Sequence, residues 1–163
     1  MVGIMADTHD RLPLVDVAVK VLNEKNVGLV LHAGDYIAPF VIPHFKPLKA
    51  RFIGVFGNND GEKNGLKKKF EGLNANVHED IADIKVDGVK IALLHGSEEE
   101  LLQELINAQS HDVIVRGHTH EAKTYHKGKT LIINPGEVCG YLTEKSTIAL
   151  LNSQTKETEI IEL

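Results

Sequence analysis

His118 and His120 follow a short apolar segment, and their imidazole side chains could together bind a metal ion. The apolar run that ends at Gly117 is short and rich in β-branched residues, which predicts a buried strand rather than a helix. Residues two apart on an extended chain lie on the same side, so both imidazoles are expected to face one cavity. Imidazole suits Zn, Cu, Fe and Ni. One His-x-His pair is weak evidence by itself, because polar strand ends often carry histidine.

Four other predicted strands end in a similar way, at glycine or alanine beside aspartate, asparagine or histidine. Open sheets bind ligands beyond the carboxyl ends of their strands, so the side chains at these ends are expected to meet. Two metal ions held by such groups can clamp the attacking and leaving oxygens of a displacement at phosphorus. The candidate ligands at the five strand ends are Asp7, His9, Asp35, Asn58, His95, His118 and His120.

Strands and helices alternate in the first half of the chain. Residues 2–6 and 29–32 predict buried strands, and the helix between them has Asp10 available as a cap and Pro13 in its first turn. This order predicts a parallel pair of strands joined by a right-handed crossover. The further predicted elements of this half are short or broken helix over residues 39–47, a strand over 51–56 and a helix over 62–73.

The second half is predicted to be largely antiparallel. Residues 77–86 and 89–94 predict a β-hairpin, because Asp87 and Gly88 between them are a strong turn signal. Two packed mixed sheets with helices outside are the simplest architecture for the whole chain. The remaining predictions are a helix over residues 98–108, strands over 122–126, 131–133, 147–151 and 158–161, and a break in the chain at 134–137.

The composition predicts a single globular domain over residues 1–163, with 42% hydrophobic residues. The net charge of −5 disfavours nucleic acid as a partner. We expect neither a membrane span nor a signal peptide, because no apolar run is long enough and the N-terminus lacks a basic segment. The single cysteine, Cys139, excludes an internal disulfide and favours a reducing, cytoplasmic location.

Five motifs in a fixed order resemble those of the calcineurin-like metallophosphoesterase superfamily, above all its small phosphodiesterases of archaea and bacteria. They read Asp-x-His, Gly-Asp, Gly-Asn-x-Asp, His-Gly and Gly-His-Thr-His, and with Asn134-Pro135-Gly136 they cover nearly the whole chain from Asp7 onward. The resemblance implies an α/β (α+β) fold, a four-layer α/β/β/α sandwich of two mixed sheets flanked by helices. It also implies a metal-dependent phosphoric diester hydrolase.

The resemblance assigns each candidate ligand to one of two metal ions. It implies that Asp35 bridges both ions and that a water or hydroxide shared by them is the nucleophile. The implied ligands of the first ion are Asp7, His9 and His120, and those of the second ion are Asn58, His95 and His118.

Asn59 departs from the most common form of the third motif, Gly-Asn-His-Asp. The histidine of that motif contacts the phosphate and can protonate the leaving group, whereas an amide donates a hydrogen bond but cannot deliver a proton. General acid catalysis contributes about 10²–10⁴-fold. We therefore expect a phosphodiesterase that prefers good leaving groups and acts poorly on alkyl monoesters, with Asn59 and Asp35 as its candidate catalytic residues.

The sequence leaves alternatives open for the metal ions, the partners and the class of protein. Mn²⁺ and Ni²⁺ are the most plausible ions, Fe and Zn are compatible with the same ligands, and ligand identity cannot choose among them. The expected partner is a small phosphodiester substrate, and a homodimer is a guess from the frequency of such assemblies. The alternative function is a protein-interaction scaffold, as in the retromer subunit that resembles these small enzymes. A nuclease subunit is disfavoured, because the chain is acidic and has no room for an added DNA-binding domain.

Several other residues allow both a structural and a functional interpretation. Asp60 could support the ligands or cap a helix, and Arg116 could contact phosphate or form a structural ion pair. Cys139 is expected to be a packed side chain, and Gly136 and Gly140 to supply turns. The histidines outside the motifs are expected to be structural, with His32 packed beneath the site and His44, His78, His111 and His126 on the surface.

Overall fold

The computed structural model describes residues 1–73 and 75–163 as two packed β-sheets with helices on both outer faces. The first sheet joins four parallel strands to two antiparallel ones. Its strands, in spatial order, are β11 (Thr158–Glu162), β10 (Thr147–Leu151), β1 (Val2–Met5), β2 (Leu29–His32), β3 (Arg51–Val55) and β4 (Ala75–His78).

The second sheet is also mixed, with three parallel strands at its centre and an antiparallel strand at each edge. Its strands, in spatial order, are β5 (Ile81–Val86), β6 (Val89–Leu94), β7 (Val113–Val115), β9 (Thr130–Pro135) and β8 (Ala122–Lys127). The prediction of a largely antiparallel second half is confirmed for the β5–β6, β8–β9 and β10–β11 pairs, whereas the parallel pairing of β6, β7 and β9 was not predicted. Helix and hairpin connections return the chain to the same end of the sheet, so β6, β7 and β9 run in one direction.

Helices cover both outer faces and complete the predicted four layers. Helix α1 (Leu12–Glu24), the 3₁₀ helix Pro39–Phe45 and helix α2 (Lys63–Phe70) pack on the first sheet through an outer core. Helix α3 (Glu99–Ala108) packs on the second sheet through Leu102, Ile106, Ile114 and Ile132. The apolar faces of the two sheets, which include Ile4, Leu31, Val55, Ile91 and Val113, form the central core. No helix in the described part of the chain is long and apolar enough to cross a membrane.

One predicted strand, residues 77–86, is in fact divided between the two sheets. β4 pairs with β3 in the first sheet, the chain bends at Glu79 and Asp80, and β5 pairs with β6 in the second sheet. The predicted turn at Asp87 and Gly88 is confirmed, with φ of 51° and 85° as a hairpin of this type requires. Alternation of apolar residues shows that a segment is extended, but it does not show which sheet the strand joins.

Two smaller predictions about local structure were also wrong. Asp10 makes no cap, because it occupies a left-handed turn with φ of 55° and Arg11 takes the N-cap position without a side-chain bond. Residues 134 and 135 do not break the chain, because β9 continues through Pro135 and the turn begins at Gly136, whose φ is 80°.

The histidines outside the motifs occupy structural positions. His32 is buried and stacks on Tyr36 with 4.0 Å between ring centroids, so its predicted place beneath the site is confirmed. His78 and His126 are exposed as predicted. His44 and His111 are only half-buried, because each forms a 2.7 Å contact with a carboxylate, from Asp16 and Asp83 respectively.

Candidate metal centre

The carboxyl ends of five strands meet at one edge of the sandwich and bring the candidate ligands together. Strands β1, β2, β3, β6 and β7 each end one to three residues before one of the predicted groups. Many of these groups have a backbone φ in the left-handed region, which is uncommon for residues other than glycine and is typical of functional sites. The values are 52° for Asp7, 40° for His9, 62° for Asp35, 70° for His118 and 62° for His120.

A first group of ligands surrounds the carboxylate of Asp7. Its Oδ1 lies 3.5 Å from Nε2 of His120 and 3.8 Å from Nε2 of His9. The centroids of the two imidazole rings are 5.1 Å apart. The three side chains therefore aim one carboxylate oxygen and two ring nitrogens at a common point, as the resemblance implies for a first metal ion.

A second group lies around His95. Its Nε2 is 2.9 Å from Oδ1 of Asn58, and its ring centroid is 5.1 Å from that of His118. Its Nδ1 is 2.7 Å from the backbone oxygen of Ala33, which fixes the proton on that nitrogen and leaves Nε2 free for a ligand. Asn58 and His118 are more exposed than His95, so this group faces the open side of the centre.

Asp35 lies between the two groups. Its Oδ2 is 3.4 Å from Nε2 of His9 and 3.5 Å from Nε2 of His95. Gly57 permits this position, because a Cβ atom there would lie 2.1 Å from Oδ1 of Asp35. Asn59 also contacts this carboxylate, with its backbone N–H 2.9 Å from Oδ1 and its amide nitrogen 2.7 Å from Oδ2. One carboxylate thus has access to both halves of the centre.

The chemistry of these side chains fits divalent metal ions. Oδ1 of Asp7 and Nε2 of His9 are buried and have no hydrogen-bond partner among the described residues. Burial would lower the pKa of His9, but the carboxylates of Asp7 and Asp35 raise it above the ordinary value. Buried polar atoms are rarely left without partners, so these atoms need a further group at the centre. A cation bound by oxygen and imidazole ligands would satisfy them.

Asp60 holds the loop that carries Asp35. Its carboxylate accepts hydrogen bonds from the backbone N–H groups of Gly57, Asp35, Tyr36 and Ile37, at 2.6 to 3.0 Å. Burial raises its pKa above the ordinary value, although the hydrogen bonds from these amides oppose the shift. The geometry supports the first interpretation of Asp60, support of the ligands, since helix α2 begins at Lys63 without a side-chain cap.

Arg116 is occupied by structural contacts. Its side chain is buried, and its guanidinium donates to the backbone oxygens of Gly117 and Gly96, at 3.2 and 3.1 Å. A third nitrogen lies 3.5 Å from Glu99. The guanidinium therefore ties the His95 loop to the His118 loop, and the structural interpretation is the one that the geometry supports.

Sequence reasoning missed Glu137, which is fully buried beside the first group. Its Oε2 lies 2.6 Å from Nδ1 of His120, and the carboxylate also accepts bonds from the backbone N–H groups of Tyr141, Leu142 and Thr143. Burial would raise its pKa, but the bonds from Cys139, His120 and Thr143 outweigh burial and lower the pKa to about 2. A signal was present, because Glu137 follows strand β9 and a glycine, the same arrangement that marked the other ligands.

Cys139 is packed against this carboxylate, as predicted for an unreactive side chain. Its thiol donates to Oε2 of Glu137 at 2.9 Å, and its sulfur lies within 4.8 Å of ligand nitrogens of His9 and His120. Burial raises the pKa of the thiol, and the bond to Glu137 raises it further, to about 12. The thiol is therefore protonated at neutral pH and is a poor nucleophile.

Replacing Glu137 with glutamine is expected to weaken the affinity of the first group for a divalent ion by about 10–100-fold, since carboxylates that orient a ligating histidine commonly have effects of this size. The amide keeps the shape of the side chain but loses the charge that fixes the proton on Nδ1 of His120. Calorimetric titration of the metal-stripped variant with Mn²⁺ measures the affinity. Glu144→Gln, an exposed change in the same loop, is the matched control. Equal affinities for both variants would contradict the assigned role.

Comparison with known proteins supplies the family. The calcineurin-like phosphoesterase superfamily domain matches residues 1–156. A phosphodiesterase of Methanocaldococcus jannaschii is 41% identical over 157 residues, which are 96% of this chain and 95% of that protein. A solved archaeal phosphodiesterase has a TM-score of 0.95 and 40% identity, over 99% of both chains. Vps29 from Entamoeba histolytica, solved with Zn²⁺, has a TM-score of 0.71 and 20% identity, over 99% of this chain and 98% of that chain, which shows a shared fold.

These matches agree with the fold and with the motifs at its strand ends. The predicted four-layer sandwich is confirmed by the close superposition over almost the entire chain. The predicted class of enzyme, a hydrolase of phosphoesters that depends on divalent metal ions, is confirmed by the family match. The chain belongs to the calcineurin-like phosphoesterase superfamily.

Proposed function

We propose that this protein is a phosphodiesterase whose centre holds two divalent metal ions. The position of Asp35 carries the proposal, because one carboxylate oxygen lies 3.4 Å from an imidazole of the first group and 3.5 Å from an imidazole of the second. The relative that is 41% identical is itself a phosphodiesterase, which supports the same activity here. The proposed ligands of the first ion are Asp7, His9 and His120, those of the second are Asn58, His95 and His118, and Asp35 binds both.

The side chains at the centre favour binding of an anionic ester. When bound, two divalent ions supply an activated water as the nucleophile and offset the charge of the phosphate. Asp7 and Asp35 bring two negative charges, whereas Asn58 brings none, so the ligands leave part of the positive charge of such ions uncompensated. His95 and His120 keep their protons on Nδ1, where Ala33 and Glu137 accept them. These histidines are therefore ligands rather than proton donors.

Asn59 is proposed to orient the substrate without protonating it. Its side chain is exposed and its amide nitrogen reaches Oδ2 of Asp35, so it lies at the entrance to the centre. An amide N–H can donate to a phosphate oxygen but has no proton to give to a departing alkoxide. The proposed substrates are therefore small diesters that release a stable anion.

We propose Mn²⁺ or Ni²⁺ as the bound ions, with Fe and Zn compatible with the same nitrogen and oxygen ligands. The neighbour Vps29 from Entamoeba histolytica was solved with Zn²⁺, which supports metal binding by this fold. The buried thiol of Cys139 fits a protein of the reducing cytoplasm, the location that we propose.

The alternative function, a protein-interaction scaffold, has support only from the fold. The neighbour that supports it, Vps29, is only 20% identical to this chain. The described residues of this chain bring the candidate metal ligands together. A scaffold has no need of a buried carboxylate oxygen such as Oδ1 of Asp7, which has no hydrogen-bond partner among the described residues and costs stability when no cation is bound. Catalysis is therefore the function that the geometry favours.

Hydrolysis of bis-p-nitrophenyl phosphate and of p-nitrophenyl phosphate by metal-stripped protein, with and without Mn²⁺ or Ni²⁺, tests the proposal. We expect metal-dependent turnover of the diester and slow turnover of the monoester, because the relative that is 41% identical is itself a phosphodiesterase. Equal turnover of the monoester would overturn the proposed preference for diesters but not the metal centre. No turnover of either ester by protein with bound metal would favour the scaffold.

A further inference from the structure

Two large apolar side chains lie next to each other on the loop that follows Glu137. Tyr141 is 58% exposed and Leu142 is 72% exposed. Adjacent apolar side chains at the edge of a polar centre are typical of a surface that contacts a ligand. The metal ligands do not use either side chain, so their exposure needs another explanation.

Hydrogen bonds to Glu137 hold the backbone of this loop. The backbone N–H groups of Tyr141 and Leu142 each lie 3.0 Å from an oxygen of Glu137, and that of Thr143 lies 2.6 Å from one. Glu137 is fully buried and also bonds to His120. Because this backbone is already ordered, a ligand that contacts the loop has little conformational entropy to remove.

Tyr141 is close to the first group of ligands. Cys139, two residues before it, has its sulfur within 4.8 Å of ligand nitrogens of His9 and His120. Two residues of extended chain span at most about 7 Å. Tyr141 therefore lies near the first group of ligands, where a substituent of a bound phosphodiester could reach its exposed ring.

Arg11 lies against one side of this tyrosine. Its Cζ is 5.2 Å from the centroid of the Tyr141 ring, and its Nη1 donates to the backbone oxygen of Cys139. The rest of the ring remains open to solvent. Because the guanidinium is bound to the backbone of Cys139, its positive charge lies near the first group of ligands. An aromatic ring supported by a guanidinium is a surface on which a second planar ring can stack.

We propose that Tyr141 and Arg11 form a binding site for a planar aromatic group on the phosphodiester other than its leaving group, the chemistry that nucleobases and simple aryl groups share. The proposal rests on the proposed function and adds to it the class of group that the substrate carries beside its phosphate. Leu142 provides apolar contact at the edge of the same site.

Three diesters that release the same p-nitrophenolate test the proposal: the methyl, phenyl and thymidine 5′ esters of p-nitrophenyl phosphate. Tyr141→Ala is expected to raise KM for at least one aromatic ester by about tenfold, since stacking of one base on an aromatic side chain has an effect of this order. Its KM for the methyl ester and its kcat are expected to stay unchanged. An effect on both aromatic esters indicates recognition of any aryl group, and an effect on the thymidine ester alone indicates a nucleobase.

Tyr125→Ala is the matched control, because Tyr125 is also exposed and also lies near a cation, with Lys123 Nζ 5.6 Å from its ring centroid on strand β8. Tyr125→Ala should change neither kcat nor the KM for any of the three esters. Equal effects of Tyr141→Ala on all three esters, or no effect on either aromatic ester, would overturn the proposal.

A binding measurement separates this proposal from the proposed function. Calorimetric titration of metal-loaded protein with thymidine 5′-monophosphate and with phenyl phosphate needs no turnover. If the unaltered protein hydrolyses no diester, the proposed function fails, and weaker binding by Tyr141→Ala than by Tyr125→Ala would still support the aromatic site. Equal binding of both ligands by both variants would overturn the proposed aromatic site.

Discussion

Replacing Asp35 with asparagine is expected to lower the hydrolysis of bis-p-nitrophenyl phosphate by at least about 10³-fold, the upper range seen when one group that stabilises transition-state charge is removed. The amide has the same shape, but it loses the charge that faces His9 and His95 at 3.4 and 3.5 Å. It also places two N–H groups where a cation should bind. The variant is therefore expected to retain fewer metal ions after dialysis, as measured by elemental analysis.

Asp83→Asn is the control for this change. Asp83 is exposed and contacts His111 far from the strand ends, so the same chemical substitution there should leave turnover and metal content unaltered. Urea unfolding of both variants shows whether the fold is intact. Turnover by Asp35→Asn within tenfold of the unaltered protein would exclude Asp35 as the shared ligand. Loss of turnover with full metal content would instead assign Asp35 to the substrate rather than to the metal.

The candidate ligands could be predicted because each depends on a local signal. Asp7, Asp35 and Asn58 follow buried strands, and small residues next to them allow the chain to turn with a positive φ or a close approach. Parallel strands bring their carboxyl ends to one edge, so the sequence order of these signals was sufficient to predict that they meet.

The supporting residues were harder to predict, because their partners are distant in sequence. Glu137 bonds to His120 across 17 residues, and Arg116 joins the loop of Gly96 to that of Gly117. The strand and glycine before Glu137 mark a chain turn, but they do not show that its carboxylate is buried beside His120. Only the pairing of β7 with β9 brings Glu137 beside His120, and a strand pairing of this kind depends on the tertiary fold.

The division of residues 77–86 between the sheets also depends on tertiary contacts that the local sequence does not specify. The apolar alternation of β4 and β5 is continuous with that of a single strand, and only the bend at Glu79 and Asp80 separates them. The outer strand β4 extends the first sheet, while β5 covers the edge of the second. Local periodicity specified the extended backbone, whereas the burial of both sheet faces decided the pairing partners.

Replacing Asn59 with histidine is expected to accelerate hydrolysis of diesters with poor leaving groups by about 10²–10⁴-fold, the usual contribution of a positioned general acid. The backbone N–H of residue 59 donates to Oδ1 of Asp35 at 2.9 Å, and this bond does not depend on the side chain. The loop should therefore keep its conformation and direct the new imidazole towards the entrance of the centre. An imidazolium can protonate a departing alkoxide, which the amide cannot do.

A series of methyl aryl phosphates, with leaving groups from p-nitrophenol to phenol, measures this effect. The dependence of the rate on leaving-group pKa should become shallower in Asn59→His, with little change for p-nitrophenolate, which departs without a proton. Asn64→His adds an imidazole on the exposed surface of helix α2 and should leave the dependence unchanged. If Asn59→His has the same dependence as that control, the amide at position 59 does not limit departure. The leaving-group preference would then have to arise from the metal ions or from the residues at the rim.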